Sequence, residues 1–144
     1  MEWQVSREFD EDELAGVMEL DPAWQKAQHW NSVAANESGI TNLARVATLS
    51  ESGNTVIART TLSSESRTRR LMNFGYSDKA RVYVNGKLVY AGDNTYRTRD
   101  YRYLGTIGLF DSVVLPLEPG ENEIWIAVTE AFGGWGVLAE IASD

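Results

Sequence analysis

A stretch of tyrosine, arginine and carboxylate residues stands out between two glycines, in residues 92–108. Tyrosine rings can stack on sugar rings, while arginine, aspartate and asparagine exchange hydrogen bonds with hydroxyl groups. The stretch therefore has the side chains of a site for a hydroxyl-rich ligand. Alternatively, it is a structured loop in which the tyrosines pack and the arginines pair with carboxylates or carbonyls. A loop this long is usually either functional or held by its own side chains, so both interpretations stay open.

A second candidate is Trp135, which lies among Gly133, Gly134 and Gly136. The glycines permit close backbone approach or a positive φ, and this would present the indole as a stacking platform. Alternatively, Trp135 closes one end of the core and the glycines serve only the bend. The candidate ligand-binding residues are Tyr96, Arg97, Arg99, Asp100, Tyr101 and Trp135.

Hard oxygen ligands for Ca²⁺ are available at Asp93, Asn94 and Asp100. Their spacing matches no defined metal loop such as an EF-hand. The sequence therefore predicts either no cofactor or a Ca²⁺ ion held by these three residues.

Catalysis has little support in the sequence, and a non-catalytic role is favoured. The chain has a single histidine, His29, and no nucleophile motif. A small hydrolase or lyase with two carboxylates remains an alternative, because it needs only aspartate and glutamate. Its candidate residues are Glu37, Asp78, Asp100 and Glu130.

The composition indicates one folded domain over residues 1–144, with 43% apolar residues and no cysteine. No apolar run reaches the roughly 18 residues of a membrane helix, so no membrane association is predicted. Residues 1–4 show no signal-peptide character. We expect either a cytoplasmic protein or a piece of a longer secreted chain, which would be extracytoplasmic.

The net charge of −8 is unevenly distributed. Residues 1–37 carry −7, residues 59–102 carry +6 and residues 103–144 carry −7. The basic middle segment could face an anionic ligand such as an acidic polysaccharide. The favoured alternative is that basic middle strands form cross-strand pairs with acidic strands. Nucleic acid is not an expected partner, because the chain is acidic and has no basic helix.

The elements that must position these residues are strands. From residue 30 onward, short segments with strand periodicity alternate with turn sequences, which favours a β-sandwich or barrel. The clearest signal is residues 79–90, where alternating apolar residues lead into Asn85-Gly86, the sequence of a type I′ hairpin turn. Near the N-terminus, Asp10 and Asp21-Pro22 predict two short helical turns, and Glu13 has the spacing of a capping box with Asp10. Trp24 and Trp30 are expected to cover an edge or end of the core.

Two strings carry a resemblance to a known family. Residues 80–89, Ala-Arg-Val-Tyr-Val-Asn-Gly-Lys-Leu-Val, and residues 117–124, Leu-Glu-Pro-Gly-Glu-Asn-Glu-Ile, resemble the galactose-binding-domain-like jelly roll. This is the fold of sugar-binding domains attached to glycoside hydrolases and of many carbohydrate-binding modules. The resemblance implies an all-β jelly-roll sandwich, here with short N-terminal helical turns. The same motifs occur in members that bind sugar and in members that only brace an enzyme.

We therefore expect a non-catalytic carbohydrate-binding or accessory module, associated with a glycan-processing system. Its partner would be a carbohydrate or a neighbouring catalytic domain. One alternative is a structural domain that docks on another protein without sugar affinity. The other is the carboxylate-dependent hydrolase or lyase described above.

Overall fold

The computed structural model describes residues 3–33, 41–43, 53–77, 79–93, 111–130 and 136–142. These residues form strands β1 Trp3–Ser6, β2 Trp30–Val33, β3 Thr41–Asn42, β4 Thr55–Ser64, β5 Thr68–Ser77, β6 Lys79–Val84, β7 Lys87–Asp93, β8 Asp111–Leu117, β9 Gly120–Thr129 and β10 Gly136–Ile141. A 3₁₀ helix spans Glu11–Leu14 and helix α1 spans Pro22–Lys26. Among these residues, no helix has the length and apolar character needed to cross a membrane.

The strands form two antiparallel sheets. The six-stranded sheet has the order β2-β1-β4-β9-β6-β7, and the four-stranded sheet has the order β3-β10-β5-β8. From β4 onward the chain passes repeatedly from one sheet to the other, apart from the β6–β7 hairpin within the larger sheet. The expected all-β sandwich is confirmed.

The main core lies between the two sheets. Alternate residues of β4, β6 and β9, such as Val56, Val82 and Ile126, meet Phe74 and Leu115 of the smaller sheet, and all five side chains are buried. A period of two in the sequence produces this face directly, since successive side chains of a strand point to opposite sides.

A second apolar cluster covers the outer face of the six-stranded sheet. Ile57, Tyr83 and Trp125 point away from the main core, yet each is at most 3% exposed. The N-terminal segment lies over them and contributes the apolar side chains Phe9, Leu14, Val17, Leu20, Trp24 and Trp30. The expectation that Trp24 and Trp30 cover an edge or end of the core was therefore wrong, because both rings pack on this outer layer.

The short helical turns form where the caps predict them. The Asp10 and Asp21 carboxylates accept hydrogen bonds from the backbone N–H of Asp12 and Ala23, each at 2.9 Å. The Glu13 carboxylate instead accepts a hydrogen bond from Trp24 Nε1 at 3.2 Å. Glu13 thus links the 3₁₀ helix to α1 within the N-terminal segment. The capping-box interpretation of its spacing was wrong.

One end of the sandwich, which we call the turn end, is closed by the two motif turns. Asn85 and Gly86 have φ of 50° and 84°, as a type I′ turn requires. Asn122 is fully buried, accepts from Glu118 N (2.9 Å) and Asn85 Nδ2 (2.8 Å), and donates to the carbonyls of Leu62, Glu118 and Gly120. Both motifs that carry the family resemblance are thus joined through one buried amide.

Candidate functional site

The opposite end of the sandwich, which we call the loop end, gathers the ends of seven strands. Strand register places Thr129 opposite both Thr55 and Lys79, Lys79 opposite Asp93, and Gly136 opposite Ser77. Asp111, the first residue of β8, pairs with Phe74 three residues before the end of β5. The described residues that flank residues 94–110 and residues 131–135 therefore all lie at this end.

The predicted site residues can be placed only in part. Asp93 is the last residue of β7, and Glu130 follows β9, where its backbone N–H donates to the Asn54 carbonyl at 3.0 Å. The remaining candidates lie outside the described residues: Asn94, Tyr96, Arg97, Arg99, Asp100, Tyr101 and Trp135 for binding, and Glu37, Asp78 and Asp100 for hydrolysis. Their roles stay predictions.

A cleft of about 380 Å³ opens at the loop end between the 3₁₀ helix and strands β4, β6, β7 and β9. Its charged lining consists of Glu11, Lys79, Arg81 and Asp93. Lys79 Nζ lies 3.5 Å from Glu11 Oε2, and the Arg81 guanidinium donates to the Leu14 carbonyl. The cleft thus presents both cations and carboxylates beside the point where residues 94–110 begin.

Hydrogen bonds join the polar side chains at the floor of this cleft. Thr55 Oγ1 donates to Asn54 Oδ1 at 3.0 Å, so the 2.7 Å contact between the Thr55 and Thr129 hydroxyls must have Thr129 as its donor. Asn54 Oδ1 also accepts from Glu11 N at 3.0 Å. The hydroxyl protons of Thr55 and Thr129 are therefore both used within the protein, so the donors that the cleft offers to a ligand belong to its charged side chains.

A metal centre is not formed by the described part of the chain alone. Among those residues, no group of three or more histidine and carboxylate side chains is positioned to hold an ion. His29 lies exposed before β2. A Ca²⁺ site with Asp93 would therefore need ligands from residues outside the described ranges.

Sequence reasoning missed a second polar group, centred on Arg59 of β4. Its guanidinium carbon lies 3.8 Å from the centre of the Trp30 ring, and its Nε donates to Gln4 Oε1 at 2.7 Å. Arg59 Nη1 lies 3.8 Å from Glu123 Oε1. Desolvation by burial lowers the pKa of Arg59, and the Glu123 charge partly opposes that shift.

A signal for this surface is present in the sequence. Strand β4 carries Ile57 on the face opposite Val56 and Ala58, and β9 carries Trp125 between Ile124 and Ile126. Apolar residues on both faces of a strand indicate that both faces are covered. If Trp24 and Trp30 had been assigned to the layer that covers this outer face, Arg59 and Glu123 would have been expected at the edge of that layer.

Three ion pairs of the described residues differ in the elements that they join, and one of them agrees with cross-strand charge pairing. Arg59–Glu123 joins strands β4 and β9, whereas Arg67–Glu118 (2.9 Å) joins residues outside the strands and Lys79 of β6 pairs with Glu11 of the 3₁₀ helix. Each pair unites the basic middle segment with one of the acidic flanking segments.

No protein-family model and no curated protein matches the chain. Among solved structures, it is similar to a β-glucuronidase from Ruminococcus gnavus in complex with D-glucuronic acid, with 14% identity and a TM-score of 0.50 over 90% of this chain. Weaker similarities include a family 35 carbohydrate-binding module from an environmental isolate (16%, TM-score 0.43, 63% of this chain and 68% of that one) and a β-glucosidase from Kluyveromyces marxianus (12%, TM-score 0.46, 65% of this chain).

The chain spans only 21% of the β-glucuronidase and 11% of the β-glucosidase. At these identities the similarity concerns the fold and leaves the ligand open. Taken with the two sheets and the two motif turns, the similarity to the β-glucuronidase shows the jelly-roll sandwich fold, of the galactose-binding-domain-like kind, that the sequence predicts.

Proposed function

We propose that the domain is a non-catalytic carbohydrate-binding or accessory module whose ligand site is at the loop end. The observation that carries the proposal is the convergence of the strand ends flanking residues 94–110 and 131–135 beside the loop-end cleft. The proposed ligand-binding residues are Tyr96, Arg97, Arg99, Asp100, Tyr101 and Trp135.

The chemistry of the cleft supports a hydroxyl-rich ligand. Lys79 and Arg81 supply donors, while Glu11 supplies an acceptor at its rim. Charge-assisted hydrogen bonds of this kind hold hydroxyl groups more strongly than neutral ones do. Tyrosine and tryptophan rings from the adjoining segments would add the apolar platform that sugar rings require.

The fold comparison gives a second, more general support. Part of a β-glucuronidase that was crystallised with D-glucuronic acid has this fold, and the chain corresponds to about a fifth of that enzyme. An accessory domain beside a catalytic domain is consistent with that proportion. We also propose that any Ca²⁺ would be held by Asp93, Asn94 and Asp100, since all three offer hard oxygen ligands.

Affinity electrophoresis tests the proposal. The protein is run through gels that contain neutral or acidic polysaccharides, once with Ca²⁺ and once with EDTA. Retardation in at least one gel is the expected result, and its loss in EDTA would support the metal. An unretarded protein in every gel would contradict a carbohydrate-binding function.

One observation favours a second candidate, a domain that docks on a neighbouring protein without binding sugar. Leu71 of β5 and Val114 of β8 are paired across the outer face of the four-stranded sheet, and they are 41% and 51% exposed. Neighbouring apolar side chains of this kind are typical of contact surfaces when they form part of a larger patch. In that case Leu71→Ser would leave the isolated domain folded and weaken its contact with the partner.

A further inference from the structure

The outer face of the six-stranded sheet carries two hollows that share a boundary. One, of about 480 Å³, lies between α1 and strands β4 and β9 and is lined by Gln25, Gln28, Trp30 and Trp125 among others. The other, of about 560 Å³, lies beside β1 and β2. It is lined by Gln4, Ser32 and Thr61 on the outer face and, toward the main core, by Trp3, Val33 and Thr60. Arg59 and Glu123 line both, and we call the combined surface the outer-face groove.

Arg59 is held in one orientation and keeps hydrogen-bond donors that no described residue uses. Its guanidinium lies over Trp30 and its Nε is fixed by Gln4, so the side chain has one defined orientation. Nη2 has no partner among the described residues, and the 3.8 Å separation of Nη1 from Glu123 Oε1 is an ion-pair distance, too long for a hydrogen bond. A ligand can therefore bond Arg59 without displacing an existing hydrogen bond of its terminal nitrogens.

Glu123 presents the complementary acceptor. Its side chain is 47% exposed, whereas that of Arg59 is 26% exposed. The opposite charges of the guanidinium and the neighbouring carboxylate largely cancel, so the pair favours neither an anionic nor a cationic ligand. The pair instead matches a neutral ligand that carries hydrogen-bond donors and acceptors on neighbouring atoms.

The rest of the lining is mostly polar and uncharged. The first hollow adds two primary amides and the ammonium group of Lys26, and the second adds an amide and three hydroxyl groups. Trp125 is 3% exposed at the first hollow, and its Nε1 is a buried donor without an acceptor among the described residues.

We propose that the outer-face groove is a second carbohydrate site, which takes a neutral oligosaccharide lying across the Arg59–Glu123 pair. The inference rests on the proposed function for the class of ligand, and it adds a site separate from the loop end. Along β4, Arg59 lies four residues from Thr55 at the loop-end cleft, which is about 13 Å at 3.3 Å per residue. Two such sites would bind a polysaccharide more tightly than either alone, if one chain can reach both.

The test uses the indole N–H signals of the five tryptophans in nuclear magnetic resonance spectra of the ¹⁵N-labelled protein. Each signal is assigned with a tryptophan-to-phenylalanine variant. Cello-, xylo-, manno- and galacto-oligosaccharides are then titrated one at a time. The inference predicts saturable shifts of the Trp30 and Trp125 signals with at least one of them.

Glu123→Gln is expected to weaken this binding about tenfold, because it replaces a charged acceptor by a neutral one. Arg67→Met is the matched control, since Arg67 also pairs with a glutamate but lies outside both hollows, with its side chain 80% exposed. It should leave the affinity unchanged. The amide spectrum of each variant shows whether the variant is folded.

The outcomes separate the two proposals. If the Trp135 signal shifts while those of Trp30 and Trp125 stay fixed, the groove is excluded and the loop-end site stands. If the Trp30 and Trp125 signals shift without that of Trp135, the groove stands and the loop-end site fails. Equal affinity of Glu123→Gln and the unmodified protein would also overturn the groove. If no indole signal moves with any of these sugars, both sites fail for neutral ligands.

Discussion

The two ends of the sandwich use polar side chains in opposite ways. At the turn end, the Asn122 amide is fully buried and bonds only to groups of the protein itself. At the loop end, Lys79 and Glu11 are more than a third exposed and line an open cleft. Side chains whose hydrogen bonds are all satisfied internally stabilise the fold, whereas those left at a cleft are available to a ligand.

This difference explains why the family motifs predict the fold better than the function. The Asn85-Gly86 turn and the turn before Asn122 meet at the turn end, where the Glu123 backbone N–H donates to Asn85 Oδ1 at 2.9 Å. These residues close the sandwich whether or not a ligand binds elsewhere. These motifs therefore bear on the closure of the sandwich and leave the position of a ligand site open.

The largest expected effect follows from breaking the turn end. Asn122→Ala removes the buried amide and leaves several backbone groups without partners, including the Leu62 carbonyl and Glu118 N–H. We expect a loss of about 3 to 4 kcal/mol in the free energy of unfolding, measured by urea titration. The control is Asn73→Ala, which removes one exposed hydrogen bond from Ser112 and should cost about 0.5 kcal/mol. Similar losses in the two variants would contradict the structural role of the turn end.

A smaller effect is expected next to the loop end. A Cβ at Gly92 would collide with the hydroxyls of Tyr76 and Tyr90, which are bonded to each other at 2.8 Å. Gly92→Ala should therefore cost about 2 kcal/mol, or a fall of about 4–8 °C in the thermal midpoint. Adding Tyr90→Phe should recover part of this loss.

Gly16→Ala is the matched control for that clash. Gly16 has φ of 70° and open space around its Cβ position, so alanine there meets backbone strain alone, about 1 kcal/mol. A smaller loss at Gly92 than at Gly16 would show that the tyrosine pair does not limit the space at this strand end.

The smallest effect, and the one that depends on pH, lies between the two ends. Tyr83 is fully buried and its hydroxyl donates to the Val17 carbonyl at 2.9 Å. Burial raises the pKa of Tyr83 above its usual value near 10, and the positive charge of Arg81 partly opposes this. Tyr83→Phe should cost about 1 kcal/mol at pH 7.

The raised pKa sets the direction of the pH effect. The stabilisation by Tyr83 is fully present below about pH 10, the unfolded-state pKa, and is lost as the pH rises toward the folded-state pKa. The free energy of unfolding of the unmodified protein and of Tyr83→Phe is measured by urea titration between pH 7 and pH 11. The difference between the two proteins should shrink above pH 10. A difference that stays constant or grows would contradict the buried hydroxyl.

The sequence predicted the sandwich because its strongest signals are local. The strand before Asn85 alternates with a period of two, and the turn residues allow only a tight reversal. The outer apolar layer was not predicted, since the contact of Trp30 with Trp125 joins residues far apart in the chain. For the same reason the Arg59–Glu123 pair was missed. Asp93 was expected inside the loop 92–108, whereas the structure extends β7 to Asp93.

The central claim, a carbohydrate site at the loop end, is tested most directly by Tyr101→Ala combined with Trp135→Ala. One preparation of the variant is used for two measurements. These are its affinity for the polysaccharide that retards the unmodified protein in affinity electrophoresis, and the thermal midpoint of its unfolding. The account predicts that binding falls at least about tenfold, because two stacking rings are lost, while the thermal midpoint stays nearly unchanged. Undiminished binding would contradict the site, and unfolding of the variant would show that these rings belong to the core.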